Sequence, residues 1–110
     1  MKRKLWIAAL GLCLLGGLAW SAGDNTLPLR RLALYIGSND GGPGRATLRY
    51  AEQDARVVAG VMQELGGVST EDSLVLLAPT AADVQKGFSQ VRQRAQAVKD
   101  EARRVEFLLY

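Results

Sequence analysis

Leu32-Ala33-Leu34-Tyr35-Ile36-Gly37 is the stretch on which the reading of this chain turns. Five apolar residues with no polar alternation, closed by a glycine, describe a strand buried on both faces. Such a strand sits in the middle of a sheet and needs helices above and below it. The residues downstream supply them. Leu48, Ala51, Ala55, Val58, Met62 and Leu65 recur at steps of three and four, which predicts one apolar stripe of a helix over 48–65. Arg49, Glu52, Gln53, Arg56, Gln63 and Glu64 fall on its wet side, and Gly66-Gly67 stops it. Leu74-Val75-Leu76-Leu77 reads as a second short buried strand, ended by Pro79. Thr80, with Asp83 three residues on, opens a second helix in the manner of a capping box. Val84, Phe88, Val91, Ala95 and Val98 carry the stripe of that helix, and Val105-Glu106-Phe107-Leu108-Leu109-Tyr110 is a third strand-like run.

Strand, helix, strand, helix, strand with short connections predicts an α/β fold: a mainly parallel sheet between two helical layers, a three-layer sandwich. With the first strand between the second and third, the order of flavodoxin-like sheets, a crevice opens at the carboxyl ends of strands one and three. The loop from Gly37 to Thr47 would line it, together with whatever follows Tyr110. The last run has no turn or cap, so residues 30–110 are expected to form the N-terminal part of a longer domain.

Upstream of the domain the chain has a different character. Lys2, Arg3 and Lys4 precede an almost wholly apolar run from Leu5 to Trp20, and Ala19 and Ser21 are small residues at the −3 and −1 positions of a cleavage site. This is the pattern of a secretory signal over residues 1–21, followed by a polar linker over 22–29. The run is interrupted by Gly11, Gly16 and Gly17 and is short for the roughly 20 residues of a membrane span, so membrane contact is expected to be transient. The expected location is exported, either periplasmic or secreted.

The signal also accounts for the charge. Three of the 14 Lys and Arg residues lie in it and none of the 11 Asp and Glu residues does, so the net charge of +3 falls to zero once it is removed. A neutral mature chain lacks the electrostatic footprint of a nucleic-acid binder. The single cysteine, Cys13, lies in the same segment, and the chain has no histidine. Neither a Cys-His nor a Ser-His pair can be assembled from these residues, and the common zinc sites lack their ligands. No metal and no organic cofactor is expected.

The most unusual segment is the loop Gly37-Ser38-Asn39-Asp40-Gly41-Gly42-Pro43-Gly44-Arg45-Ala46-Thr47. A long glycine-rich connection at this position suits a functional loop. It lacks the Gly-Lys-Ser/Thr of a P-loop and the three spaced glycines of a dinucleotide site. Ser38, Asn39, Asp40 and Arg45 are the candidate cleft residues. Asn39 and Asp40 could equally satisfy turn backbone groups, and Arg45 could equally be solvated. Asp54, at the border of the first helix's apolar stripe, is a candidate to hold the loop through its backbone, or is an ordinary edge charge.

Together these segments resemble the caspase-like peptidases, in particular their bacterial caspase and metacaspase-like branch. The resemblance runs through Leu32 to Asn39 as the first strand with its Gly-x-Asn end, Leu48-Arg49-Tyr50 and Asp54-Ala55 in the first helix, and Leu65-Gly66-Gly67 closing it. Leu74 to Thr80 and Val105 to Tyr110 continue it. It implies a cysteine endopeptidase acting on a protein or peptide, in which a histidine follows the third strand and a cysteine ends a later one. Both would lie beyond Tyr110, so no catalytic residue is carried over here, and residues 1–110 by themselves are expected to be inactive. Arg45 stands out of register with the arginine that caspases place in this loop, which leaves cleavage specificity open. A noncatalytic binding module of the same fold and an unrelated flavodoxin-like ligand-binding domain are the alternative readings.

Overall fold

The computed structural model describes residues 27–110, so the signal read at 1–21 and most of the linker lie outside the described residues. Three strands, β1 (Leu29–Gly37), β2 (Ser73–Leu77) and β3 (Arg104–Leu109), form one sheet in the order β2-β1-β3. Both pairings are parallel: Leu34 lies opposite Leu74 on one side and opposite Leu109 on the other. The fold is therefore α/β with the strand order expected from the sequence. The central strand begins at Leu29, inside the stretch read as linker, because Leu29 still pairs with Arg104.

Helices α1 (Ala51–Glu64) and α2 (Ala81–Val98) cover opposite faces. Ala33 and Tyr35 point to α1, where they form a core with Ala55, Ala59 and Val68. The alternate residue Leu34 points to α2: a Cβ built on Gly87 would lie 3.5 Å from its Cδ1 and 2.9 Å from that of Leu76. The chain steps from β1 to β2 in one direction and from β2 across to β3 in the other. Two crossovers of one hand taken in opposite directions must leave their helices on opposite faces, as observed. Leu32, Ala33, Leu34 and Tyr35 are at most 1% exposed, the burial on both faces that the unalternated run demanded. Each large side chain among them contributes roughly 1.5–3 kcal/mol of burial.

Two residues of the expected first stripe are corrected. Leu48 and Leu65 are 58% and 84% exposed, because α1 starts only at Ala51 and its last turn ends at Glu64. Ala59 is buried in the middle of the helix instead. Small residues let α1 approach the sheet closely: a Cβ on Gly37 would stand 2.6 Å from the Ala51 carbonyl oxygen. Gly67, in the left-handed region at φ +68°, turns the chain out of α1, and the Val68 amide donates back to the Met62 carbonyl. At the start of α2 the Thr80–Asp83 capping box is formed in both directions, which holds the Asp83 carboxyl below its ordinary range.

Candidate functional site

The switch point of the sheet lies between the carboxyl ends of β1 and β3. β3 stays in register to its end: the Tyr110 amide donates to the Leu34 carbonyl at 3.0 Å, and the Ile36 amide donates to the Tyr110 carbonyl at 2.8 Å. Ser38 and Asn39 therefore leave the sheet beside Tyr110. Exposed apolar side chains belong to this end: Leu48 and Tyr50 at the foot of α1, Leu109 and Tyr110 at the tip of β3.

The glycine-rich loop is pinched at its base. The Leu48 amide donates to the Asn39 carbonyl at 2.7 Å. The Asn39 side chain accepts from the Glu52 amide at 3.2 Å, and the Glu52 carboxylate accepts from the Asn39 amide at 3.4 Å. Tyr50, at the cap position of α1, makes no side-chain cap bond, so Asn39 caps the helix from outside it, a capping box assembled across the loop. Glu52 holds the loop, rather than Asp54. Asp54 is exposed, and no hydrogen bond or ion pair joins its carboxylate to another described residue. The pairing was missed because Glu52 falls on the wet side of the helical wheel, which says nothing of what lies beyond the helix end.

Within the loop, the Gly42 amide donates to the Asp40 carboxylate at 2.8 Å and the Ser38 hydroxyl donates to the Asp40 carbonyl at 2.9 Å. The Arg45 amide closes a turn on the Gly42 carbonyl at 3.2 Å. Gly42 and Gly44 take positive φ angles, +93° and +75°. Asp40 thus occupies the amide of Gly42 that an anion would need, and its charge opposes one, which argues against a phosphate cradle. Arg45 is exposed, and its stem lies over Gly41, whose Cβ would meet it at 3.2 Å. The structure brings Ser38, Asn39 and Asp40 together at the end of β1 and leaves Arg45 at the loop tip.

A second polar cluster lies at the opposite end of the sheet. Asp72, only 5% exposed, accepts from Arg30 Nε at 2.8 Å and Arg30 Nη2 at 2.6 Å, and from Arg94 Nε at 2.7 Å. Burial pushes its carboxyl up, but the bonds from Arg94, Arg30 and Ser69 outweigh burial and hold it below the ordinary range. A cavity of about 150 Å³ adjoins it, lined in part by Ser73, Gln90 and Arg94. Every oxygen of this carboxylate is engaged, and the cluster ties β1 and α2 to the entry of β2. Tyr35 is buried, which pushes its phenol pKa up, and its hydroxyl has no hydrogen-bond partner among the described residues.

Among the described residues no group of His, Cys, Asp and Glu side chains could hold a metal ion, and no helix is long and apolar enough to cross a membrane. No family model, curated protein or solved structure matches the chain.

Proposed function

We propose that this chain carries the front of the catalytic domain of an exported cysteine endopeptidase of caspase-like type. One observation carries the reading: β1 and β3 lie side by side and parallel, with the clamped Ser38-Asn39-Asp40 loop standing over their carboxyl ends. A loop fixed at its base beside an exposed apolar rim suits an extended peptide, whose side chains Leu48, Tyr50 and Tyr110 could receive. The described residues contribute the cleft wall. The thiolate and imidazole of the reaction are assigned to the polypeptide after Tyr110, and residues 1–21 to an export signal that is removed.

The test is the product of the complete reading frame. The expected result is a histidine shortly after Tyr110, a cysteine at the end of a later strand, and cleavage of a peptide library that iodoacetamide abolishes. A product without either residue, or one that cleaves no peptide before or after limited proteolysis, removes the peptidase. Mass analysis of the exported protein should place its first residue at Ala22; a chain still starting at Met1 removes the cleavable signal alone.

A further inference from the structure

Nowhere else in the sequence does an aspartate or asparagine precede a glycine as Asp40 precedes Gly41. The nitrogen that follows an aspartate is a latent nucleophile toward that residue's own carboxyl carbon, and a glycine removes the side chain that ordinarily hinders its approach. The structure adds four features to this pair. Both residues are exposed, so water reaches them. The Gly42 amide donates to Asp40 Oδ1 at 2.8 Å, which folds the carboxyl group back across the Asp40–Gly41 peptide, toward the Gly41 nitrogen. The Ser38 hydroxyl donates to the Asp40 carbonyl at 2.9 Å. That oxygen belongs to the same peptide and takes up negative charge when the Gly41 nitrogen gives up its proton, so the hydroxyl favours the attacking form. Below them, the bonds from Asn39 to Leu48 and Glu52 fix the base of the loop and limit how far the two reacting groups can swing apart.

We propose that Asp40-Gly41 is a self-modification site: the fold promotes closure of the Asp40 side chain on the Gly41 nitrogen, and the ring reopens in part as isoaspartate. In the first step the bond from the Gly41 nitrogen to Asp40 Cγ forms and a Cγ–Oδ bond of the protonated carboxyl breaks. The amide proton and the departing hydroxyl leave as water. In the second step water adds to either carbonyl of the cyclic imide. Breaking the bond from nitrogen to Cγ restores aspartate. Breaking the bond from nitrogen to the former main-chain carbonyl carbon leaves the chain running through Cβ and Cγ, one methylene longer, with the old main-chain carboxylate free. Water is the only co-reactant. Asp72-Ser73 supplies the contrast: its carboxylate is tied to Arg30 and Arg94 and Ser73 lies in β2, so that residue should remain aspartate. The lengthened backbone alters the turn above the carboxyl end of β1, while the clamp of Asn39 and Glu52 keeps the change out of the sheet.

The site needs only this loop and stands apart from the peptidase proposed above. The test incubates the full chain at one mild pH and temperature, folded in buffer and unfolded in guanidinium chloride. Peptide mapping with a proteinase that cuts before aspartate but not before isoaspartate, read by mass, measures conversion at each aspartate. In the folded chain isoaspartate should accumulate at Asp40 and not at Asp72, and it should form faster than in the unfolded chain. Ser38→Ala should slow the folded rate by about two- to tenfold, the worth of one ordinary hydrogen bond, and leave the unfolded rate unchanged. Asp40→Asn keeps an acceptor for the Gly42 amide and loses ammonia in place of water, a faster reaction that should show the same advantage of the folded chain. A folded rate at or below the unfolded one, in the parent chain or in Asp40→Asn, overturns the proposal. So does a folded rate that Ser38→Ala leaves unchanged, and so does conversion at Asp72 as fast as at Asp40.

Discussion

β2 and β3 are the two outer strands of one sheet, and both pair in parallel with β1, yet they are held in opposite ways. Two consecutive arginines of β1 make the difference visible. Arg30 and Arg31 point to opposite faces, as neighbours on a strand must. Arg30 reaches the buried Asp72 at the entry of β2 and shares it with Arg94 of α2. Arg31 reaches Glu106 of β3 at 3.0 Å and the Gly66 carbonyl at 2.9 Å, at a site where both ion-pair partners are more than a third exposed. β2 is thus clamped by a buried charge cluster and roofed by two helices, whereas β3 is held by main-chain bonds, a solvated ion pair and the packing of Phe107 on Phe88 and of Leu108 against the core.

The largest expected effect comes from breaking the packed side. Gly37→Ala drives a Cβ into the Ala51 carbonyl and the Glu52 Cα, atoms of helix backbone that cannot swing away, and should cost about 3 kcal/mol in chemical denaturation. Asp72→Asn leaves two guanidinium groups without their shared anion. It should cost about 2–3 kcal/mol, less than the roughly 3–5 kcal/mol of breaking a fully buried pair, because Arg94 keeps contact with water.

That difference should depend on pH. The folded carboxyl of Asp72 titrates below its ordinary value of 3.8, so its stabilisation is complete above that value and is lost as pH falls through the lowered folded value. Denaturation midpoints of the wild type and Asp72→Asn should therefore stay apart at neutral pH and converge in strong acid. A gap of constant size down to pH about 2 would show that the carboxylate's charge is not what clamps β2.

Smaller effects separate the strands further. Ala78, where the chain leaves β2, sits at φ +46°, a conformation that costs an L residue roughly 1–2 kcal/mol. Ala78→Gly should raise stability by about 0.5–1 kcal/mol, part of the relief being offset by the freer unfolded chain. Glu106→Gln, on the β3 side, should move the midpoint least of all, and what it moves should vanish in high salt. A loss comparable to that of Asp72→Asn would mean that the two strands are anchored alike.

Much of this architecture was legible in the sequence because it depends on local pattern. The unalternated run Leu32–Ile36 announced a strand covered on both faces, and the three-four spacing announced both helices. Thr80 and Asp83 announced the start of the second. What escaped depends on partners distant in the chain. Nothing within reach of Asp72 along the sequence marks it as buried, since Arg30 lies 42 residues before it and Arg94 lies 22 after. Leu48 and Leu65 match the helical period, but period alone does not say where the sheet beneath the helix ends. The loop residues Ser38, Asn39 and Asp40 were singled out by position and composition, while Glu52, which clamps the loop, resembled any solvated glutamate.

The clamp at the foot of that loop separates two parts of the chain that sequence alone joins. Because Asn39 bonds to both Leu48 and Glu52, the register of β1 with α1 is set below the tip, and residues 41–46 hang from a closed ring. Length and composition can drift in the tip without disturbing the sheet. This makes it a natural splice point: an epitope or a reporter inserted between Gly42 and Gly44 would ride on the carboxyl end of the sheet while the strands beneath kept their places.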